Sequence, residues 1–505
     1  MTYDCDVLIV GAGPVGTALA LELALHRRGR ILRGAVTHID RQRVSRLTLD
    51  DLGTTDTEFP LPLILSQVET ERFLDECLSE YGMSVERPVI ASNIIQHDAG
   101  VTVTLERPDG KSDTIRTKYV VGCDGAHSTV RHASKKMTFP GGAYPQDFVL
   151  CDARLRDSNI ARDSLSVYLN NQGLVGTLPL DQELVRVVVS RSPVAVPGQE
   201  APTLDQLQAY FTTMTPPGSG TLHDPLWLTR FRLHHRCAWA AADALLDTYD
   251  LERRPVGLML LRGTDRIFSF LTEPNPWFTP FRNFLIRFFA PRISRDRAWR
   301  KSVFHFMSQF GVHYRGRTRL VGEASGFWWR PTIRGGDRLP DGKIWSKSEA
   351  RETSLQRVCV GAPHHLLLFS GNAARGGLGE EALRSAADGV VAACKTELRV
   401  HYIAGDDRPT PGPDWYTDSA GRLHDKFGFG RKAGYVLVRP DGYIAHIGPL
   451  SKLRQLLSFL DTYLVSPNVA PSPSPFTYVK PLAWAVVVAY FAPQVIRWVA
   501  QRVWS

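Results

Sequence analysis

Cysteine is the first informative scarcity. The seven cysteines (5, 77, 123, 151, 237, 359, 394) are scattered, odd in number, and include no CxxC. That pattern argues for a reducing compartment, against a disulfide scaffold, and against a zinc site, so no metal is expected. Long apolar runs are also lacking. The longest uncharged tract, PLAWAVVVAYFAPQVI between Lys480 and Arg497, has sixteen residues, where a membrane span needs roughly 20. No nucleophile–His–acid signature stands out. The formal charge of +9 is spread over 505 residues without a localised basic stripe, which argues against nucleic-acid binding. The densest basic stretch, Arg282 to Lys301, is interleaved with Phe and Trp and is expected to be one face of a packed helix. No leader is expected ahead of the first strand, which begins near residue 5.

What is present begins at the N-terminus. DVLIV (6–10) is a short apolar strand, followed by Gly11-Ala-Gly13-Pro14-Val15-Gly16 and an apolar-periodic helix to about His26. A G-x-G-x-x-G that leaves a strand and opens a helix is a dinucleotide-binding signature with a mechanical job for each glycine. The first makes the tight turn, the second lets backbone approach the pyrophosphate, and the third lets helix and strand pack closely. The helix N-terminus adds free N–H groups and a positive dipole end. A second β-run, Ala35 to Ile39, ends at Asp40, so the segment reads as a β-α-β unit with Asp40 placed to bind ribose hydroxyls. Asp40 lies 29 residues after Gly11, where roughly 20 is usual. Arg41 and Arg46 follow as pyrophosphate donors.

Further on, QVETERFLDECLSEY (67–81) is an amphipathic helix, VTVTLERPDG a hairpin strand with its turn, and Tyr119–Gly122 a buried strand leading into Asp124-Gly125. Residues 145–230 are strand-rich and 240–310 helical. VCVG, LLLF and YVLVRPDGYIAHIG give further strands, and SKLRQLLSFLDTYL a closing helix. A Pro/Ser-rich linker precedes the tail 480–505. That tail reads either as a membrane-associated anchor or interfacial helix, with Trp484, Trp498 and Trp504 at the headgroups, or as a helix docked on the protein.

GAGPVG (11–16), QVETERFL (67–74), VVGCDGAHSTVR (120–131), YPQDFVL (144–150), FRLHHR (231–236), ERRPVG (252–257), TDRIF (264–268), GDRLPDG (336–342) and RPDGYIAHIG (439–448) occur in an order that resembles the single-component FAD-dependent aromatic hydroxylases of the phenol hydroxylase type. The resemblance implies an α/β fold. A Rossmann-like FAD domain (1–140, resuming at 231–330) carries an inserted sheet-rich substrate domain (141–230), then a thioredoxin-like domain (335–465) and a linker and tail (466–505). It implies FAD and NAD(P)H as cofactors, and a phenolic or polyketide-like aromatic and O2 as substrates, with NADPH the family's usual reductant. It also implies a cytoplasmic homodimer. It places Gln67 near the flavin, and Asp124 and Gly125 at FAD and the nicotinamide. Catalytic residues are not assigned. Lacking a CxxC, the C-terminal domain is not expected to be redox-active.

The chain departs from that pattern twice. The second FAD motif, a strand ending Gly-Asp, belongs between FRLHHR and ALLDTYDLERRPVG. There Arg236 instead runs through Cys-Ala-Trp-Ala-Ala-Ala to Asp243. Gly336-Asp337 is no substitute, because no strand precedes it. A second gap is expected after Arg46, where the family's helix and loop give way to LTLDDLGTTDTEFP. Intact flanks around both gaps suggest a truncated gene model or a rearrangement. The main reading is therefore an FAD monooxygenase. The alternatives are an impaired or non-catalytic relative acting through protein contacts, and a different flavin reaction on the same frame.

Overall fold

The computed structural model describes residues 4–10, 30–134, 141–191, 203–231, 234–236 and 244–463, less short stretches within them. The Gly11–Gly16 loop, its helix and the tail 480–505 lie outside the described residues. The chain forms two compact units. The first comprises residues 1–51, 61–241 and 268–300, and the second 52–60, 242–267 and 301–505.

The first unit holds two main sheets. In the smaller, strand Cys5–Val10 runs parallel to Ser112–Gly122, which continues antiparallel to Gly100–Glu106 and Ile90–His97. The Pro-Asp-Gly turn forms as expected between the last two strands of the hairpin. The apolar run of Cys5–Val10 suits a strand covered on both sides. Among the described residues, however, it has one neighbour and stands at the sheet edge, with Val7 49% and Tyr119 45% exposed. Tyr119–Gly122 is accordingly half-covered and not the buried strand expected.

The larger sheet has seven strands, in the order Thr221–Phe231, Asp147–Arg156, Leu184–Arg191, Gly173–Pro179, Ser164–Asn170, Gly34–Ile39 and Gln42–Thr48. Alternation of small and branched residues along Asp147–Arg156 and Leu184–Arg191 puts Cys151, Ala153, Val185, Val187 and Val189 on one face. Leu207, Phe211 and Met214 of helix Leu204–Met214 cover that face. A Thr203–Gln206 capping box starts this helix.

The β-α-β expectation fails here. Gly34–Ile39 pairs with Ser164–Asn170 and Gln42–Thr48, in a different sheet from Cys5–Val10. Ile39 faces Gln42 across a two-residue turn. Asp40 and Arg41 both have positive φ (49° and 67°), the geometry of a type I′ hairpin.

Helices Phe278–Ile293 and Arg297–Met307 hold the basic stretch, in which Arg282 and Arg300 are buried while Arg287, Arg292, Arg295 and Arg297 are exposed. Arg282, 2% exposed, donates to the Leu271 and Asn170 carbonyls. Arg300 donates to the Thr48 carbonyl and grips Asp51 with both terminal nitrogens.

The second unit is built on an eight-stranded mixed sheet. His364–Phe369, Leu398–Ala404 and Trp415–Thr417 run parallel, flanked antiparallel by Gly434–Val438 and Ile444–Pro449. The fully buried HHLLLF run feeds two cores in alternation. Leu366 and Leu368 meet helices Glu380–Ala393 and Leu453–Thr462, while Leu367 and Phe369 meet Ile344, Phe427 and Phe429. VCVG is not a strand: Val358 ends the short helix Leu355–Val358, and Cys359 caps it.

Candidate functional site

The carboxyl ends of two parallel strands define the site. Val10 stands opposite Gly122, and the Cys123 N–H donates to the Val10 carbonyl over 2.6 Å. The Asp124-Gly125 loop therefore leaves the sheet edge beside the end of Val10. That edge is where ligands bind in open α/β sheets.

The second loop is tightly built. Asp124 accepts from the Ser128 hydroxyl (2.6 Å), the Thr129 N–H (2.6 Å) and the Val130 N–H (3.3 Å). Ser128 in turn accepts from the Arg131 N–H, so both side chains cap helix Thr129–Ala133. A Cβ on Gly122 would lie 2.8 Å from the Val130 Cβ, which is why glycine stands where this helix closes on the strand. Gly125 has φ +77° and open space beyond it, leaving its backbone accessible.

The expected residues separate into two groups. Asp124 and Gly125 are at the edge. The calls on Gly11, Gly13, Pro14, Val15 and Gly16 fall outside the described residues, directly after Val10. Gln67 opens helix Gln67–Glu80, is exposed, and donates to Glu71. The structure does not bring Asp40, Arg41 and Arg46 to this edge, because the strands bearing them belong to the other sheet. Asp40 pairs with Arg287 (2.8 Å). Arg41 donates to the carbonyls of Thr212 and Thr213, at the carboxyl end of helix Leu204–Met214, a favourable place for a cation. Arg46 lies exposed opposite Val36.

Sequence reasoning missed one cluster. Cys359, His365 and His401 each offer a ligand atom, all within 4.8 Å of one another. Spacings of six and thirty-six residues carry no recognised metal motif.

Comparison with known proteins agrees with this architecture. Residues 27–240 match the FAD binding domain family, and residues 391–468 the phenol hydroxylase C-terminal dimerisation domain. Pentachlorophenol 4-monooxygenase of Sphingobium chlorophenolicum is 24% identical, covering 92% of this chain and 97% of that protein. The 6-methylpretetramide 4-monooxygenase of Streptomyces rimosus is 26% identical, covering 92% and 95%. A flavin-dependent monooxygenase solved with FAD and substrate superposes at TM-score 0.67 and 18% identity, covering 92% of this chain and 99% of that one. Aklavinone-11 hydroxylase with FAD and aklavinone gives 0.67 at 19% identity and the same coverage. The fold is thus that of the flavoprotein aromatic hydroxylases. In these two segments the chain is similar to the FAD-dependent aromatic hydroxylases of the phenol hydroxylase type.

The same comparisons locate the losses. The FAD-domain match begins at residue 27, past the glycine loop. The alignment with the pentachlorophenol enzyme runs to 553 positions, while 92% of 505 residues is about 465, so roughly 88 positions face gaps in this chain. Between Gly16 and Arg30 the one acid is Glu22, and no second β-run occurs.

The residues present fit FAD at one end. The edge at Val10 and Asp124-Gly125 suits the pyrophosphate side. Among the described residues, no acid at that edge is free for the ribose, since Asp124 is engaged in capping, and the Gly-Asp motif for the flavin ring is absent from the sequence.

Proposed function

We propose that this chain is an FAD-dependent monooxygenase that hydroxylates a phenolic or polyketide-like aromatic compound with NAD(P)H and O2. The observation that supports the reading is the register of Val10 against Gly122, which brings the end of the first strand beside the Asp124-Gly125 loop. FAD bound here would supply the redox chemistry, accepting hydride from the nicotinamide and activating O2 so that one atom would go to an electron-rich ring and the other to water. The chain's own contribution is positional. Asp124 fixes the loop by holding three donors, and Gly125 offers open backbone beside the strand ends.

A second reading, an impaired relative acting through protein contacts, is favoured by the exposed edge strand Cys5–Val10. The two separate in one preparation. Bound flavin absorbance, with substrate-stimulated NADPH oxidation and oxygen uptake, supports the first. A colourless folded protein that takes up no added FAD sinks it for this chain and leaves the second.

The C-terminal match supports a homodimer. Among the described residues no helix is long and apolar enough to cross a membrane. A cytoplasmic site, with the tail 480–505 touching a membrane surface, completes the proposal, and co-sedimentation with vesicles against a chain lacking the tail tests that contact.

A further inference from the structure

Three side chains that hydroxylation does not use converge inside the second unit. His365 and His401 sit on parallel neighbouring strands, with Leu367 opposite His401 and His365 opposite Arg399. This diagonal puts the two imidazoles on one sheet face. His365 Nδ1 and His401 Nε2 are 2.9 Å apart, with ring centroids 5.2 Å apart and planes 20° from parallel, so the rings meet edge to edge with nitrogens facing. Cys359 reaches the same place from the end of helix Leu355–Val358. His365 is fully buried and His401 6% exposed, whereas Cys359 is partly exposed. Desolvation, then the charge of Arg399 and the neighbouring histidines, pulls both imidazoles down to about 4. The other His401 nitrogen, Nδ1, is buried with no hydrogen-bond partner.

We propose that Cys359, His365 and His401 form a three-ligand Zn2+ site. Tetrahedral zinc with Zn–N of about 2.0–2.1 Å and Zn–S of about 2.3 Å needs N···N near 3.3 Å and S···N near 3.5 Å. The facing nitrogens have to part by a few tenths of an ångström, each ring has to turn by roughly 35° so that both lone pairs meet at the ion, and the thiol has to draw in from at most 4.8 Å. Binding releases one proton, from the Cys359 thiol. The proton shared in the His–His bond moves to the far nitrogen of its ring, and nothing is oxidised or reduced. The set of one soft and two borderline donors favours zinc over calcium or magnesium. Three protein ligands leave the fourth position to water, and zinc binding would have to overcome the burial that holds the Cys359 thiol above its usual range. The bound ion would pin the end of the short helix to the central parallel strands.

The full chain, purified without chelator, is assayed for zinc by plasma mass spectrometry, then stripped and titrated with Co2+ under circular dichroism control. The expected result is one equivalent of zinc, and a Co2+ spectrum with a thiolate charge-transfer band and tetrahedral visible bands. Cys359→Ser should abolish the charge-transfer band. His401→Gln should weaken binding by more than the roughly 10–100-fold that loss of a supporting contact costs. A folded protein that takes up no zinc, a Co2+ spectrum without the thiolate band, or uptake undiminished in Cys359→Ser would overturn the site. No flavin enters the assay, so its outcome is independent of the proposed activity.

Discussion

Asp124 and Thr129 are joined by a 2.6 Å hydrogen bond from the Thr129 N–H to a carboxylate oxygen, and this bond ties the strand-end loop to the helix after it. With Ser128 and Val130 on the same carboxylate, Asp124 carries a structural load whether or not a ligand is present. Asp124→Ala should lower stability by about 1–2 kcal/mol, the usual cost of a lost helix cap, read as a drop in the urea midpoint. An unchanged midpoint would show that the loop is held by other contacts.

Flavin affinity should be weak. A handful of lost hydrogen bonds to a charged ligand, at roughly 1.5–3 kcal/mol each, takes a tight site to micromolar dissociation constants or worse. Fluorescence titration with FAD measures this directly, and a nanomolar constant would refute it. Asp40→Ala should leave the constant unchanged, because Asp40 is a hairpin-turn residue paired with Arg287. The exposed pair itself should contribute about 0.2–1 kcal/mol.

Among the described residues Cys5–Val10 has a neighbour on one side only, and an edge of that kind is an association hazard. Val7→Lys, at a position 49% exposed, should raise the soluble yield and lower light scattering on heating. Scattering that does not change would mean this edge is not the self-association surface.

In the second unit, Arg439 grips Glu252 with two 2.8 Å bonds, and Thr318 donates to the same carboxylate at 2.6 Å. The two charged side chains are 11% and 4% exposed. Asp441 also holds this guanidinium, at 3.1 and 2.6 Å, so Glu252→Ala removes one of its two carboxylates and should cost about 1–3 kcal/mol. A double change with Arg439→Met should recover much of that in chemical denaturation.

His446 is 4% exposed beside Tyr435, and desolvation lowers it to about 4. Its folded value lies below the unfolded one, so the unfolded chain binds the extra proton. The resulting stability is full above about 6.5 and is lost as the pH falls toward 4. From pH 7.5 to 5 this one group should remove roughly 2 kcal/mol. Urea midpoints across that range should slope less in His446→Phe than in the parent.

Local pattern made much of this legible. Periodicity gave helix Gln67–Glu80, and the alternation around the Pro-Asp-Gly turn gave the hairpin. LLLF was readable as a buried strand because both its faces meet apolar cores. Three readings failed for physical reasons. The run Ala35–Ile39 looks the same whether it lies in a dinucleotide-binding sheet or a mixed one, because strand partners are chosen by tertiary packing. Asp-Arg is not the Asn-Gly signal of a two-residue hairpin, so its turn was mistaken for a strand end. VCVG is apolar enough for a strand, but the Ser354 cap and the Leu355–Val358 turn made it a helix end.

By itself, then, the sequence determined the family resemblance, the Asp124-Gly125 loop after its strand, and the absence of the second flavin motif, because these depend on contiguous residues. Tertiary structure alone decided which sheet Asp40 joins, that Cys5–Val10 stands at an edge, and that Cys359, His365 and His401 meet. Those depend on strand order and register, which bring together residues that no local spacing connects.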